Sequence, residues 1–152
     1  DYKVTGVQTC ALPILREKYG SDWDARADRA LHPLIVLWGE GFSDPEGPPD
    51  NGFRWSKATG ELRITNGSTR TRRIRLQLAV QTENDAHLWL SGTLLNEELR
   101  TGSQPAPIDR TLDVPPGRHV LRFRSDGRRV LAPGDFRTLI FKVSGFKLTE
   151  LE

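Results

Sequence analysis

An arginine beside a tryptophan, in the run GFRWS, offers the chemistry of a sugar-binding surface. Arg54 and Trp55 are neighbours, so a strand would send their side chains to opposite faces. If Phe53 and Trp55 point inward, Trp55 belongs to the core, and we favour this register because tryptophan is highly buried on average. In the opposite register, the indole of Trp55 is a surface platform that can stack on the apolar face of a sugar ring.

Two carboxylates and a second arginine surround a loop near the C-terminus. Asp126 and Asp135 flank this loop, which ends at Arg137. We favour a structural pair, because the guanidinium of arginine binds carboxylates through two parallel hydrogen bonds. The same oxygens could instead contact a ligand directly or bind Ca²⁺, which takes about six to eight oxygen ligands.

Several acidic side chains also lie in a long loop, residues 41–52, in which apolar residues show no regular spacing. A glycosidase needs two carboxylates held about 5 Å or about 6.5–9.5 Å apart, and the sequence does not fix such a spacing. A solvated loop is therefore favoured, although a ligand contact by Glu46 stays open. The candidate ligand-binding residues are Glu46, Arg54, Trp55, Asp126, Asp135 and Arg137.

Other chemistry is not indicated. No GxSxG, P-loop or GxGxxG motif occurs, and the three histidines lack the close spacing of zinc ligands. We therefore expect no catalytic residue, no metal and no cofactor. The net charge is +2, so nucleic acid is not an expected partner, and no apolar run approaches the roughly 18 residues of a membrane span. Two arginine clusters, at 70–75 and 118–129, are interpreted as solvated sheet faces rather than as one basic patch.

Hydrophobic periodicity predicts the elements that must hold these residues. Residues 72–81 alternate between apolar and polar side chains, as in a sheet with one face in the core. Similar short runs recur between Gly, Pro, Asn and Asp turns, which predicts an all-β fold, a two-sheet antiparallel β-sandwich of jelly-roll-like topology. One short N-terminal helix is expected within residues 15–33, capped by Ser21 and ended by Pro33, and the sandwich domain within 34–152.

Four local expectations follow from the same patterns. The run LIVLW, ending at Trp38, predicts a buried strand, and Trp89 is expected to point outward and to pack partly against its neighbours. Asn66-Gly67 predicts a hairpin turn, since both residues tolerate positive φ. Gly145 is expected to bend or bulge the last strand.

The first 14 residues resemble an artefact. Val4–Ile14 reads VTGVQTCALPI, which resembles the in-frame translation of a common short-read sequencing adapter. Cys10, the sole cysteine, lies inside it, so we expect neither disulfides nor thiolate sites. We expect the native chain to start near Leu15 and to be the C-terminal piece of a longer protein.

Several runs in order carry a family resemblance: WGEGF, GFRWS, ELRITN, PPGRHVLRFRSDG, APGDFRTLIFKV and GFKLTE. Together they resemble the small all-β accessory domains appended to bacterial membrane-anchored glycosyltransferases or sulfatase-like enzymes. The resemblance implies a non-catalytic module in the cell envelope that binds or positions a glycan or glycolipid, or docks on its parent enzyme. A polysaccharide-active hydrolase and a purely structural protein-interaction domain remain alternatives.

Overall fold

The computed structural model describes residues 22–152, and the chain divides after Leu34 into two units. In the first unit, α1 (Asp22–Leu31) is a ten-residue helix. It ends where predicted, because His32 precedes a proline and so avoids helical geometry. Within the described residues, no helix has both the length and the apolar character needed to cross a membrane. The predicted cap Ser21 and residues 1–14 lie outside the described residues.

Nine strands lie in the described part of the second unit: β1 (Ile35–Trp38), β2 (Phe53–Ser56), β3 (Thr59–Asn66), β4 (Arg72–Thr82), β5 (Ala86–Ser91), β6 (Glu97–Thr101), β7 (Ala106–Val114), β8 (Gly117–Ser125) and β9 (Phe141–Glu150). Sheet A has the order β1-β3-β8-β5-β6, and sheet B has the order β2-β9-β4-β7. Neighbouring strands are antiparallel throughout both sheets. This confirms the predicted all-β, two-sheet antiparallel sandwich of jelly-roll-like topology.

The core lies between the two sheets, where alternate residues of each strand point inward. Sheet A contributes seven buried apolar side chains, which are Leu62, Ile64, Ala86, Leu88, Leu90, Leu121 and Phe123. Sheet B contributes a matching layer that includes Ile74, Leu76, Val80, Val114, Phe141 and Val143. Each large side chain so buried contributes about 1.5–3 kcal/mol. The rings of Phe123 and Phe141 stack across the sheets at 6.4 Å, so the two layers are in direct contact.

The predicted hairpin at Asn66-Gly67 is wrong. β3 belongs to sheet A and β4 to sheet B, so the chain crosses between the sheets here. Asn66 is 1% exposed, and its Nδ2 donates to the carbonyl oxygens of Arg70 at 2.8 Å and Val114 at 2.9 Å. Its Oδ1 accepts from the Ser68 N–H at 3.0 Å. The side chain of Asn66 therefore hydrogen-bonds to backbone groups at the connection that crosses between the sheets, and Asn66 does not form a two-residue turn.

The predicted irregularity at Gly145 is confirmed as a β-bulge. Ser144 pairs with Ala79, whereas Lys147 pairs with Gln77, so two residues of β9 oppose one residue of β4. Gly145 has a φ of 61°, a left-handed conformation that glycine adopts without steric cost.

The prediction of a fully buried LIVLW strand is wrong, because β1 is the edge strand of sheet A. Ile35 and Leu37 are 51% and 58% exposed. Trp38 points to the other face and is half-buried, where its ring contacts Phe42 at 4.8 Å and Phe146 at 5.0 Å. Only one face of the strand is therefore packed, although apolar side chains lie on both faces.

Candidate functional site

The structure places Trp55 on the outer face of sheet B, opposite to the favoured prediction. Arg54 pairs with the buried Val143, and Ser56 pairs with the buried Phe141, so both lie on the inner face. Trp55 pairs with Lys142, whose Nζ lies 5.8 Å from the centroid of the indole. Strand geometry then directs the half-buried indole outward.

Arg54 is a structural residue beside Trp38, and the register separates it from the indole of Trp55. Its guanidinium carbon lies 5.3 Å from the centroid of Trp38, and its Nη1 donates to the carbonyl oxygen of Ser43 at 2.9 Å. Burial lowers the pKa of Arg54, although the guanidinium remains charged. These contacts hold the loop of residues 41–52 against β2.

Arg137 joins two loops through two carboxylates. Its guanidinium contacts Glu46 at 2.6 Å and Asp135 at 2.7 Å. Hydrogen bonds from Arg137 lower the pKa of Asp135 to about 2 and hold the pKa of Glu46 below its usual value. The sequence favoured a structural pair of Arg137 with Asp126 or Asp135. The pair forms with Asp135, and Glu46 is an additional partner that was not predicted.

A cleft of about 470 Å³ opens beside this ion pair, and we call it the loop cleft. Trp55, Phe136 and Arg137 line it, and Phe136 is 94% exposed. Arg137 already binds both Glu46 and Asp135, so the aromatic side chains are the features left to contact a ligand here.

Asp126 makes its contacts elsewhere, at the end of β8. Its carboxylate accepts from the backbone N–H of His87 at 2.7 Å, and its other oxygen lies 3.1 Å from His87 Nδ1. These bonds, the backbone bond first, lower the pKa of Asp126. Of the predicted site residues, Trp55 and Arg137 therefore line one cleft, and Glu46 and Asp135 adjoin it through their bonds to Arg137. Arg54 and Asp126 do not line it.

A larger groove of about 830 Å³ runs over the outer face of sheet A, and we call it the sheet groove. Antiparallel pairing assembles its floor. Trp89 of β5 lies between Glu98 of β6 and Arg124 of β8, and Ser91 pairs with Arg122 in the next outward row. Each of these five residues lines the groove. The outward position of Trp89 was predicted from the sequence, whereas the groove was not.

Trp89 carries a cation on its face. The guanidinium carbon of Arg124 lies 4.0 Å from the centroid of the indole, and the His87 ring lies 5.5 Å away with an interplanar angle of 30°. Such cation–π contacts are worth about 0.5–1 kcal/mol at an exposed site. The sequence did carry a signal for this arrangement. Because side chains alternate along a strand, Trp89, Arg122 and Arg124 could all be predicted to point outward.

Two of the carboxylates that line the sheet groove are held by arginines. Glu97 forms a bidentate pair with Arg110 of β7 at 2.7 and 2.8 Å, which links the two sheets and lowers the pKa of Glu97. Glu61 contacts Arg63 at 3.1 Å and Arg122 at 3.6 Å. The groove therefore presents fixed donors and acceptors on both sides of the indole.

The two arginine clusters lie on different sheets, so they form no joint basic patch. Arg73 and Arg75 lie on sheet B and pair with Asp113 at 3.0 Å and Asp109 at 2.6 Å. Within residues 22–152, no group of three or more His, Cys, Asp or Glu side chains could hold a metal ion.

No protein-family profile matches the chain, and no curated protein matches it. Among solved structures, it is similar to a protein described as CBM4, with a TM-score of 0.44, 7% identity, and coverage of 78% of this chain and 86% of the other. It is also similar to the N-terminal cellulose-binding domain of a Cellulomonas fimi β-1,4-glucanase C, with a TM-score of 0.43, 8% identity, and coverage of 78% and 89%. A third similar structure is a CBM61 bound to β-1,4-galactotriose, with a TM-score of 0.38, 13% identity, and coverage of 78% and 89%. At such low identities and TM-scores, the likeness says nothing about what this chain binds.

Proposed function

We propose that this domain is a non-catalytic glycan-binding module whose binding surface is the sheet groove. The observation that carries the proposal is Trp89, an outward indole on the floor of an open groove of about 830 Å³. Ligand sites combine apolar or aromatic surface with a few fixed polar groups that set orientation. Here Glu98, Arg122 and Arg124 lie on strands beside the indole and can hydrogen-bond to sugar hydroxyls.

A binding role is better supported than hydrolysis. A glycosidase acid needs a raised pKa so that it is protonated at working pH. Arg110 instead lowers the pKa of Glu97, and Arg137 lowers that of Glu46. Glu61 is engaged by two arginines. These carboxylates are arranged as ion-pair partners, which suits recognition of a sugar better than protonation of a leaving group.

The loop cleft is a less favoured surface for the same ligand. Glu46, Asp135 and Arg137 would have to break their mutual hydrogen bonds before contacting a sugar. Trp55 is half-buried, as Trp89 is, and serves as the matched comparison for it.

The test compares three forms of the full chain by glycan-array screening and then by isothermal titration calorimetry. We expect Trp89→Ala to weaken binding by about 30-fold, since loss of a central aromatic contact costs about 2 kcal/mol. We expect Trp55→Ala to bind like the wild type, because its indole lies on the other sheet. Binding that depends on Trp55 and ignores Trp89, or no binding to any glycan, would refute the proposal.

We further propose that the module belongs to a cell-envelope enzyme and positions a glycan or glycolipid for it. The support is the resemblance of runs such as GFRWS and APGDFRTLIFKV to accessory domains of membrane-anchored glycosyltransferases and sulfatase-like enzymes. The genomic DNA upstream of the Leu15 codon tests this. Membrane spans and a catalytic domain are expected there, and a start codon directly before Leu15 would contradict the proposal.

A further inference from the structure

We propose that the sheet groove selects acidic glycans, whose carboxylate or sulfate groups bind Arg124 on the face of Trp89. This inference rests on the proposed glycan-binding function and adds the ligand's charge to it. Three features of the groove support it: the position of Arg124, its lack of a carboxylate partner, and the charges on the neighbouring strands.

Arg124 already occupies the surface that a neutral sugar would need. Its guanidinium carbon lies 4.0 Å from the centroid of Trp89, which is stacking distance. A neutral sugar that stacks on this face of the indole must first displace the cation. An anionic group needs no displacement, because it can bind the edge of the guanidinium while the plane of the guanidinium stays on the ring.

Arg124 also has no carboxylate partner within ion-pair distance among the described residues. By contrast, Arg75 and Arg137 are each tied to a carboxylate at 2.6 Å. The side chain of Arg124 is exposed on the outer face of β8. A guanidinium that is held in place by stacking, but whose donors are unpaired, is pre-oriented for an incoming oxyanion.

The neighbouring charges extend the positive site along β8. Arg122 lies two residues away on the same face, at a spacing of about 7 Å. The carboxylate nearest to the Arg122 guanidinium is that of Glu61, at 3.6 Å, which is beyond hydrogen-bond distance. Glu61 also forms an ion pair with Arg63. The charged side chains that line the groove are Lys57, Arg122 and Arg124 against Glu40, Glu61, Glu97 and Glu98. Arginines already pair with Glu61 and Glu97, which leaves Glu40 and Glu98 to oppose the three cations.

Of the two remaining glutamates in the groove, Glu98 gives the ligand a direction. Glu98 lies on β6, on the opposite side of Trp89 from Arg124. It can accept hydrogen bonds from sugar hydroxyls, and it repels an anionic group from that side. The acidic group of the ligand is therefore expected over β8, and uncharged hydroxyls are expected over β6.

The experiment measures the affinity of the full chain for three probes by calorimetry: a galacturonic acid trimer, a sulfated chondroitin disaccharide and a neutral galactose trimer. We expect at least one acidic probe to bind about 10-fold or more tightly than the neutral trimer. Arg124→Gln should weaken the acidic probe by about 10- to 100-fold, the usual range for a lost charge-assisted hydrogen bond. The same change should strengthen neutral binding by about 2- to 5-fold, since it uncovers Trp89.

Arg118→Gln is the matched control, because Arg118 lies on the same strand and face but does not line the groove. Equal losses in Arg118→Gln and Arg124→Gln would overturn the inference, since they would indicate diffuse attraction. Neutral binding that depends on Trp89, without a preference for acidic probes, would overturn it and leave the proposed function standing. Absence of binding to every probe would overturn the inference, and it would refute the proposed function as well only together with a glycan array on which nothing binds. A single-stranded oligonucleotide that binds as tightly, with the same dependence on Arg124, would also overturn the inference.

Discussion

Replacing Asn66 by alanine should destabilise the sandwich at the point where the chain crosses between the sheets. The side chain is 1% exposed and makes three hydrogen bonds to backbone groups. One of them joins the end of β3 to Val114, 48 residues away. Alanine removes all three bonds and supplies no replacement partner.

The expected magnitude follows from those bonds. Each intramolecular hydrogen bond contributes about 1 kcal/mol net, and a buried polar group left without a partner costs about 1–3 kcal/mol. We therefore expect Asn66→Ala to lower the free energy of unfolding by about 3 kcal/mol. With a urea m-value of about 2 kcal/mol/M, the unfolding midpoint should fall by about 1.5 M.

The assay is urea unfolding followed by circular dichroism, with Asn96→Ala as the matched control. Asn96 also makes two hydrogen bonds to backbone groups, both to Gly92, but it is exposed, so water can replace them. Its loss should cost less than about 1 kcal/mol. If Asn66→Ala and Asn96→Ala shift the midpoint equally, Asn66 does not tie the crossing connection to β7.

Two further predictions concern packing and charge. Gly60→Ala should destabilise the folded domain by about 1–3 kcal/mol, because the new Cβ would stand 2.4 Å from a ring carbon of Phe42. In the control Gly52→Ala, the atom nearest to the new Cβ would be 3.6 Å away, so thermal unfolding should be nearly unchanged. Equal melting temperatures would contradict this. Asp135 should titrate at about 2 in an NMR pH titration and return toward its ordinary 3.8 in Arg137→Gln. Because its folded-state pKa is depressed, its stabilising contribution is complete above about pH 4 and is lost as the pH falls toward about 2. Titration of wild-type Asp135 near 3.8 would show that the contact with Arg137 is absent.

The fold could be predicted because the sequence alternates strictly where a strand has one face in the core. In β4, Ile74, Leu76, Leu78 and Val80 are all buried, as the period of two requires. The burial of β1 was predicted wrongly because its apolar run continues across both faces of an edge strand. Burial of such a run depends on what lies beyond the edge, which local sequence does not encode.

The orientation of β2 was not decidable from its four residues. Phe53, Arg54 and Trp55 each have enough apolar surface to be half-buried, so alternation gives no clear answer. Pairing with β9 decides it, because Arg54 stands beside the inward Val143. That partner lies 89 positions later in the chain.

The sheet groove was missed for the same reason. Trp89 and Arg124 are cross-strand neighbours separated by 35 positions, and only the strand order of sheet A brings them together. The structural pair at Arg137 was predicted from residues two apart, Asp135 and Arg137. Its long-range partner Glu46 was assigned to a solvated loop, because sequence periodicity gives no information about which loops meet.

The indole signals of the four tryptophans offer the most direct measurement of the central claim. In an NMR titration with a bound acidic oligosaccharide, the indole N–H of Trp89 should shift with ligand concentration, together with the backbone signals of Arg122 and Arg124. The indole of Trp55 should stay in place. A titration in which Trp55 shifts and Trp89 does not would place binding at the loop cleft and contradict the account.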